Sequence, residues 1–422
     1  MPNYSSISDA DSEVLSALVG EEKRQKEGLE LIPSENYVSA AVREANGSIF
    51  TNKYSEGYPG KRYYGGQKFT DQIELLAIER AKKLFNCKFA NVQPLSGAPA
   101  NIAAYFAICD IGDTILGMDL SHGGHLTHGH PVTHIAKFFN FVRYKMKNTQ
   151  TGEIDYAELR QLALTHKPRL ILAGYSAYSR QLDYAQFREI ADSVGAVLLM
   201  DIAHIAGLIA GKVAHNPFDY GFDIMTTTTH KTLRGPRGGM ILVREDEKLA
   251  KKIDKSVFPG LQGGPHMNHI AGKAVAFAEA LSPKFAIYAE QILKNAKAMA
   301  EVFRAQKIRM IGGGTDNHLI LADVYSSLGI TGKEAQTVLD EVGITLNMNM
   351  IAGDLRRPLD PSGIRFGTPA ITTRGCKEKE CQKVAEIMTQ VMKNKNNETC
   401  KQKSREKIKA LCEKFPIPEK FV

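Results

Sequence analysis

The sequence predicts an α/β fold, with a mainly parallel central sheet covered by helices and a smaller C-terminal α+β domain. Three observations lead there. Short apolar runs alternate with amphipathic segments through the middle of the chain. A rigid interruption at 259–265 (PGLQGGP) then precedes a long helical stretch. After that stretch comes a fresh apolar run at 318–323, with helical spacing again near 333–342. Strand, helix, strand in repetition favours parallel pairing, because parallel neighbours need a long crossover and a helix supplies it.

The elements follow in order. Residues 72–85 carry apolar side chains at helical spacing, with Asp71 placed to cap them. Residues 114–117, 170–173, 196–200, 223–226 and 240–243 read as buried strands, and 184–194 as an amphipathic helix between two of them. A helix is expected from about 270 to 306, broken near Ser282 and Pro283, and a second domain starts near 281. No internal repeat or low-complexity tract interrupts this order. A length of 422 residues exceeds one ordinary core and implies two or three domains.

Bulk properties exclude several classes. With 43% hydrophobic and 24% charged residues the composition is that of a soluble globular protein. The opening MPNYSSISDADSEV is polar and acidic, which fits neither a secretory nor a mitochondrial targeting segment, so a cytoplasmic location is expected. The longest apolar runs fall far short of the roughly 20 residues of a membrane span. The six cysteines are scattered without a CxxC pair, which argues against a disulfide framework and against zinc. The net charge of +8 favours anionic ligands. Seven basic and two acidic residues crowd 393–409; a solvated helix face is the plainer account of that run, and nucleic-acid binding the sharper one.

Four segments carry chemistry. In 225–239 (MTTTTHKTLRGPRGG) an apolar strand runs through threonines into His230 and Lys231. A lysine just past a strand end can be desolvated, which lowers its pKa and makes the amine nucleophilic, as Schiff-base chemistry requires. In 198–207 (LLMDIAHIAG) Asp201 closes a strand, where ligand sites of open α/β sheets gather, and His204 follows it. A carboxylate there can hold a protonated pyridine nitrogen. In 91–101 (NVQPLSGAPAN) Ser96, Gly97 and Ala98 open a helix whose N–H groups suit a phosphate. Residues 52–66 (NKYSEGYPGKRYYGG) pack Tyr54, Glu56, Tyr63 and Tyr64 on a stiff loop, the makeup of a binding surface. Five histidines in 121–134 suggest a metal, but glycines and Pro131 break up the stretch and neither a cysteine nor a carboxylate completes a set, so no metal is expected. One imidazole stacked on a cofactor ring suits that run better.

Taken together, these segments resemble the serine hydroxymethyltransferase family. The matching stretches run in order along essentially the whole chain: 29–37 (LELIPSENY), 51–66, 92–101, 117–129 (GMDLSHGGHLTHG), 201–207, 226–239, 258–265 and 362–370 (SGIRFGTPA). The length resembles the shorter bacterial form. The resemblance implies the fold type I architecture of pyridoxal-phosphate (PLP) enzymes, divided into an N-terminal arm (1–45), a large PLP-binding domain (46–280) and a small C-terminal domain (281–422). It implies a homodimer with shared active sites that interconverts serine plus tetrahydrofolate with glycine plus 5,10-methylenetetrahydrofolate.

By that resemblance Lys231 would hold PLP as a Schiff base, Asp201 would pair with the ring nitrogen, and His125 would stack on the ring. His204 would lie near the phenolic oxygen with Ser176 close by. Ser96, Gly97, Ala98 and His230 would surround the phosphate, and Tyr54 and Gly264 would reach the site from the neighbouring subunit. Arg365, aided by Ser34, would clamp the substrate carboxylate. Glu56 of the partner chain would move protons, Tyr64 would assist at the substrate and Tyr63 at folate. Leu120, Gly124, Leu126 and Asn349 would contact the pterin. The chain departs from the family pattern at Ala98, where relatives carry a hydroxyl, at Leu95, where a histidine is common, and through 348–361. A folate-independent PLP aldolase acting on 3-hydroxy amino acids such as threonine is the competing expectation, opposed by Glu56, Tyr63 and 120–126.

Overall fold

The structure, a computed structural model, describes residues 4–421. Its central sheet has seven strands: β1 (Phe89–Asn91), β2 (Thr114–Met118), β3 (Asn140–Tyr144), β4 (Leu170–Gly174), β5 (Val197–Asp201), β6 (Ile224–Thr228) and β7 (Gly239–Val243). They lie in the order β1-β7-β6-β5-β4-β2-β3. The run from β6 to β3 is parallel throughout. Strand β7 is antiparallel to both its neighbours. The segment 229–238 between β6 and β7 contains no crossover helix, so the chain turns straight back. That return is where His230 and Lys231 sit.

Alternate side chains of each strand enter different cores, as a sheet buried on both faces requires. Leu116, Ile171, Leu198, Met200 and Leu242 face one core with helices Lys68–Phe85, Tyr156–His166, Tyr184–Val194 and Met267–Ala280. Ile115, Leu170, Leu172, Leu199 and Ile241 face the other, with helix Gly97–Ile108 and the helix Glu247–Lys255. A third core surrounds a four-stranded antiparallel sheet, ordered β8-β9-β11-β10, made of β8 (Arg309–Met310), β9 (Leu319–Asp323), β10 (Asn347–Asn349) and β11 (Gly363–Gly367). The N-terminal segment belongs to this smaller core. Leu29–Glu30 pairs in parallel with Ile344–Thr345, and Leu29 and Leu31 are buried there. Helix Pro283–Ala305 serves both cores, giving Phe285 and Ile292 to the large one and Met299 and Phe303 to the small.

Of two helix expectations, one needs correction and one holds. The helix expected over 72–85 with an Asp71 cap begins earlier, at Lys68, with Gln67 at the cap position. Asp71 instead lies in the first turn and accepts from Gly60 N and Arg62 Nε, so it is spent on holding the tyrosine-rich loop. The expected break near Ser282 is real. One helix ends at Ala280, and the next opens with Pro283 in its first turn, where a missing N–H costs nothing.

Among the described residues no helix is long and apolar enough to cross a membrane. All six cysteines are unpaired. Much of the C-terminal basic run is engaged by the protein itself. Lys395 pairs with Glu334, Lys401 with Glu341 and Glu398, and Arg405 donates to the Glu341 carbonyl.

Candidate active site at the carboxyl ends of the strands

Strands β4, β5 and β6 end side by side, and the residues just past their carboxyl ends line a cavity of about 350 Å³. This is where open α/β sheets place ligands. Of the sequence-predicted residues, Ser34, Ser96, Gly97, Ala98, His125, Ser176, Asp201, His204, His230, Lys231 and Arg365 all line it. Tyr175, Ala203, Thr228 and Arg237 line it as well; the last three lie within the motifs 198–207 and 225–239, though the motifs alone assign them no role.

Asp201 is the best-supported charge of the cavity. Its Oδ2 accepts from Asn101 Nδ2 at 2.9 Å and faces His128 Nε2 at 3.2 Å, while Oδ1 accepts from Ala203 N at 3.0 Å. Burial opposes ionisation, but the bond to His128 and then the Asn101 amide outweigh it and hold the carboxyl well below the usual range. The His128 proton can be placed from its partners. His125 N donates to His128 Nδ1 at 3.2 Å, so Nδ1 is an acceptor and the donor N–H is on Nε2, toward Asp201. Neither Asn101 nor His128 was singled out from the sequence for this task. His125 is fixed in turn by Thr127, whose N–H donates to its Nδ1, and Asn101 also donates to Thr127 Oγ1. Burial, followed by His128, lowers the His125 pKa to about 4, so the ring is uncharged at neutral pH.

Lys231 lies opposite in character. Burial lowers its amine to about 8, against the attraction of Asp201. No described residue forms a hydrogen bond with the amine. His204 is buried, and its Nδ1 lies 3.2 Å from Nε2 of His318, a residue of the segment entering β9. Burial keeps both imidazoles neutral, His318 at about 3. Arg365 reaches across from β11. Its Nη1 donates to the Ser176 carbonyl and hydroxyl at 2.7 and 3.1 Å, and its Nε to Asn347 Oδ1 at 3.2 Å. Ser176 is itself stapled to the histidine-rich turn by its N–H on Gly123 O at 2.7 Å. His318 and Asn347 were also missed; each comes from the smaller core, far along the chain.

At the other end, Ser96 is the N-cap of helix Gly97–Ile108, yet its side chain makes no capping bond. Gly97 allows close approach: a Cβ there would lie 2.8 Å from Thr228 Cγ2. His230 Nδ1 accepts from Gly238 N at 3.4 Å, and burial lowers this imidazole to about 3. Ala98 lines the same end without a hydroxyl.

Other predicted residues stand apart from Lys231 within one chain. Tyr54 and Tyr64 both donate to Glu56, each at 3.3 Å, and their rings pack edge to face at 5.2 Å. Gly264 abuts Tyr54, where a Cβ would lie 3.1 Å from the ring. Tyr63 is 75% exposed and its ring lies 5.7 Å from Phe258. None of these lines the cavity. Leu120, Gly124 and Leu126 occupy the turns after β2, on either side of His125, with Leu126 exposed. Asn349 ends β10 and donates to the Met350 carbonyl. The five histidines of the same stretch divide: His125 and His128 serve the cavity, His122 accepts from Met146 N and His130 from Val132 N, and His134 opens the short helical turn His134–Lys137.

These residues fit a planar, anionic pyridine aldehyde. The unpartnered amine of Lys231 suits the aldehyde, the ionised Asp201 a ring N–H, and the uncapped Ser96 and helix N-terminus a phosphate. Fold and cavity together define a PLP-dependent enzyme of fold type I. A family profile described as serine hydroxymethyltransferase matches residues 7–388. The chain belongs to the serine hydroxymethyltransferase family. It is a glycine hydroxymethyltransferase by activity, moving the serine hydroxymethyl carbon reversibly to tetrahydrofolate to give glycine and 5,10-methylenetetrahydrofolate, with PLP as cofactor. Nothing in the match favours the folate-independent aldolase.

Proposed function

We propose that one cavity divides this reaction among Lys231, Asp201, Arg365 and a partner-chain Glu56, in a homodimer with shared sites. The observation that carries the proposal is the convergence of a desolvated amine, an ionised carboxylate and a half-buried guanidinium on one cavity. PLP, when bound, supplies an electron sink for bond cleavage at the substrate α-carbon. With a pKa of about 8, the Lys231 amine is partly unprotonated near neutrality and can take or return a proton. Asp201 keeps its charge toward the ring nitrogen because His128 and Asn101 hold both oxygen and orientation. His125 covers the ring uncharged, which costs the site no electrostatic repulsion. Arg365, with its Nε and Nη1 occupied by Asn347 and Ser176, presents Nη2 for a carboxylate, and Ser34 adds a hydroxyl. His204 and Ser176 serve the phenolic oxygen, and Ser96, Gly97, Ala98 and His230 the phosphate.

Tyr54, Glu56, Tyr63, Tyr64 and Gly264 would complete the neighbouring subunit's cavity. The exposure of the three tyrosines, and the absence of all five residues from the lining of their own chain's cavity, support that reading. Glu56 would move a proton at the serine hydroxyl, Tyr64 would stand at the substrate, and Tyr63, Leu120, Gly124, Leu126 and Asn349 at folate. Six unpaired cysteines suit a reducing compartment and support a cytoplasmic location.

Borohydride reduction of the holoenzyme followed by peptide mapping should place the cofactor on Lys231, and label on any other lysine overturns the assignment. Arg365→Lys should raise KM for serine roughly tenfold or more while PLP stays bound, since an ammonium cannot keep the bonds to Asn347 and Ser176 and also present a donor to the carboxylate. An unchanged KM would put the carboxylate elsewhere.

A further inference from the structure

Helix Met267–Ala280 buries a lysine among apolar neighbours. Lys273 is 2% exposed, and its Nζ donates to three backbone carbonyls: Val92 at 2.6 Å, Gly239 at 2.8 Å and Pro94 at 3.1 Å. Among the described residues it has no ion-pair partner; the acid within electrostatic reach is Glu74, whose oxygens are bonded to Arg62 and Gln93. An amine taken out of water to serve only carbonyl groups is costly, and an apolar side chain would fill the same helix position. The cost is understandable if the three carbonyls must be held at one point.

Those carbonyls flank the phosphate end of the cavity. Val92 and Pro94 lead directly into Ser96 and Gly97. Gly239 opens β7, and its N–H also donates to Pro94 O at 2.9 Å. The two segments press together so closely that a Cβ on Gly239 would lie 2.3 Å from Ser96 O. A Cβ on Gly238 would lie 2.4 Å from Lys273 Cε, and Gly238 N is the donor to His230 Nδ1. The ammonium therefore stands behind both groups assigned to the phosphate, Ser96 with Gly97 on one side and His230 on the other.

We propose that Lys273 is a positioning residue for the cofactor's phosphate, bracing the Ser96–Gly97 turn and the Gly238–His230 contact from behind without touching the ligand. This rests on the assignment of that end of the cavity to the phosphate. Lys273→Met keeps the stem and removes the donors. Cofactor release from full-length holoenzyme, followed by absorbance after dilution, is compared for protein loaded with PLP and with pyridoxal, which lacks the phosphate. Release of PLP should accelerate roughly tenfold in Lys273→Met, while release of pyridoxal changes by less than about twofold. Equal acceleration for both ligands, or none for PLP, overturns the role of Lys273. If Lys273→Met does not accumulate folded, Lys273→Arg keeps a cationic donor of altered shape and should show a smaller loss confined to PLP; a loss shared by pyridoxal overturns the proposal. Should the unaltered enzyme release PLP and pyridoxal equally fast, the phosphate assignment itself falls, an outcome read without any variant.

Discussion

Glu30 is 5% exposed within the short ladder that ties the N-terminal segment to the smaller core. Its Oε1 accepts from Ile32 N at 2.9 Å, while Oε2 has no hydrogen bond and lies 3.7 Å from Arg24 Nη1. Burial first, and then the nearby Glu35, push its pKa up to about 8. The sign follows from linkage. Between about 4.5, the ordinary value, and about 8, the folded chain holds a proton that the unfolded chain has lost, so stability is full below that window and falls as pH rises through it. Glu30→Gln should flatten that decline, by on the order of a few kcal/mol across the window. Thermal melts of both proteins at pH 5 and pH 8 check it, and parallel curves would remove Glu30 as the cause. The segment matters because Ser34 lies just beyond it in the cavity. Single residues were legible where a motif placed them at a strand end, as with Asp201 and Lys231. Their support was not, since Asn101 and Asp201 are 100 residues apart and His204 and His318 are 114 apart. Only the fold brings such pairs together.

Elements show the same division. Strands with every residue buried, among them β4, β7 and β9, stand out as largely apolar runs, whereas the edge strands β1 and β3 are short or half exposed and leave a weak pattern. How helix ends are satisfied is also invisible in a linear chain. Arg374 is buried at the end of helix Pro369–Thr373 and donates to the carbonyls of Gln25, Lys26, Gly28, Cys412 and Phe415. These close the C-termini of helices Ser12–Glu27 and Glu398–Lys414, where the last carbonyls lack intrahelical partners and attract a cation. Arg374→Met should cost about 3–5 kcal/mol by leaving several buried acceptors unmet, and Arg374→Lys should recover only part, because an ammonium cannot fan across both helix ends. Denaturant melts measure the loss. Limited proteolysis should find new early cuts within residues 12–27, and a cleavage pattern identical to the unaltered protein would mean that the clasp does not hold that helix.

At the scale of the whole molecule, one chain leaves much apolar surface open to water. Ile49, Tyr63, Phe69, Leu75 and Leu76 are all exposed along the tyrosine-rich loop and the following helix, and helix Ser12–Glu27 buries none of its residues. Patches of this kind mark association surfaces. Tyr54, Glu56 and Tyr64 lie on that same loop; in one chain they bind each other and leave their own cavity unserved. A two-fold dimer would carry each loop to the partner's cavity reciprocally. Complementation tests this directly. Glu56→Gln should nearly abolish folate-dependent serine cleavage and spare folate-independent cleavage of 3-hydroxy amino acids, which needs no proton moved in the transfer to folate. Lys231→Ala should be inactive in both. Mixed in equal amounts and allowed to exchange, the two variants form heterodimers in which one cavity has both defects and the other has neither. With random pairing about half of the dimers are mixed and each has one intact site, so folate-dependent activity should return to about a quarter of the unaltered level. If exchange is verified by mass and activity stays absent, Glu56 acts on its own chain's lysine and the shared-site arrangement is wrong.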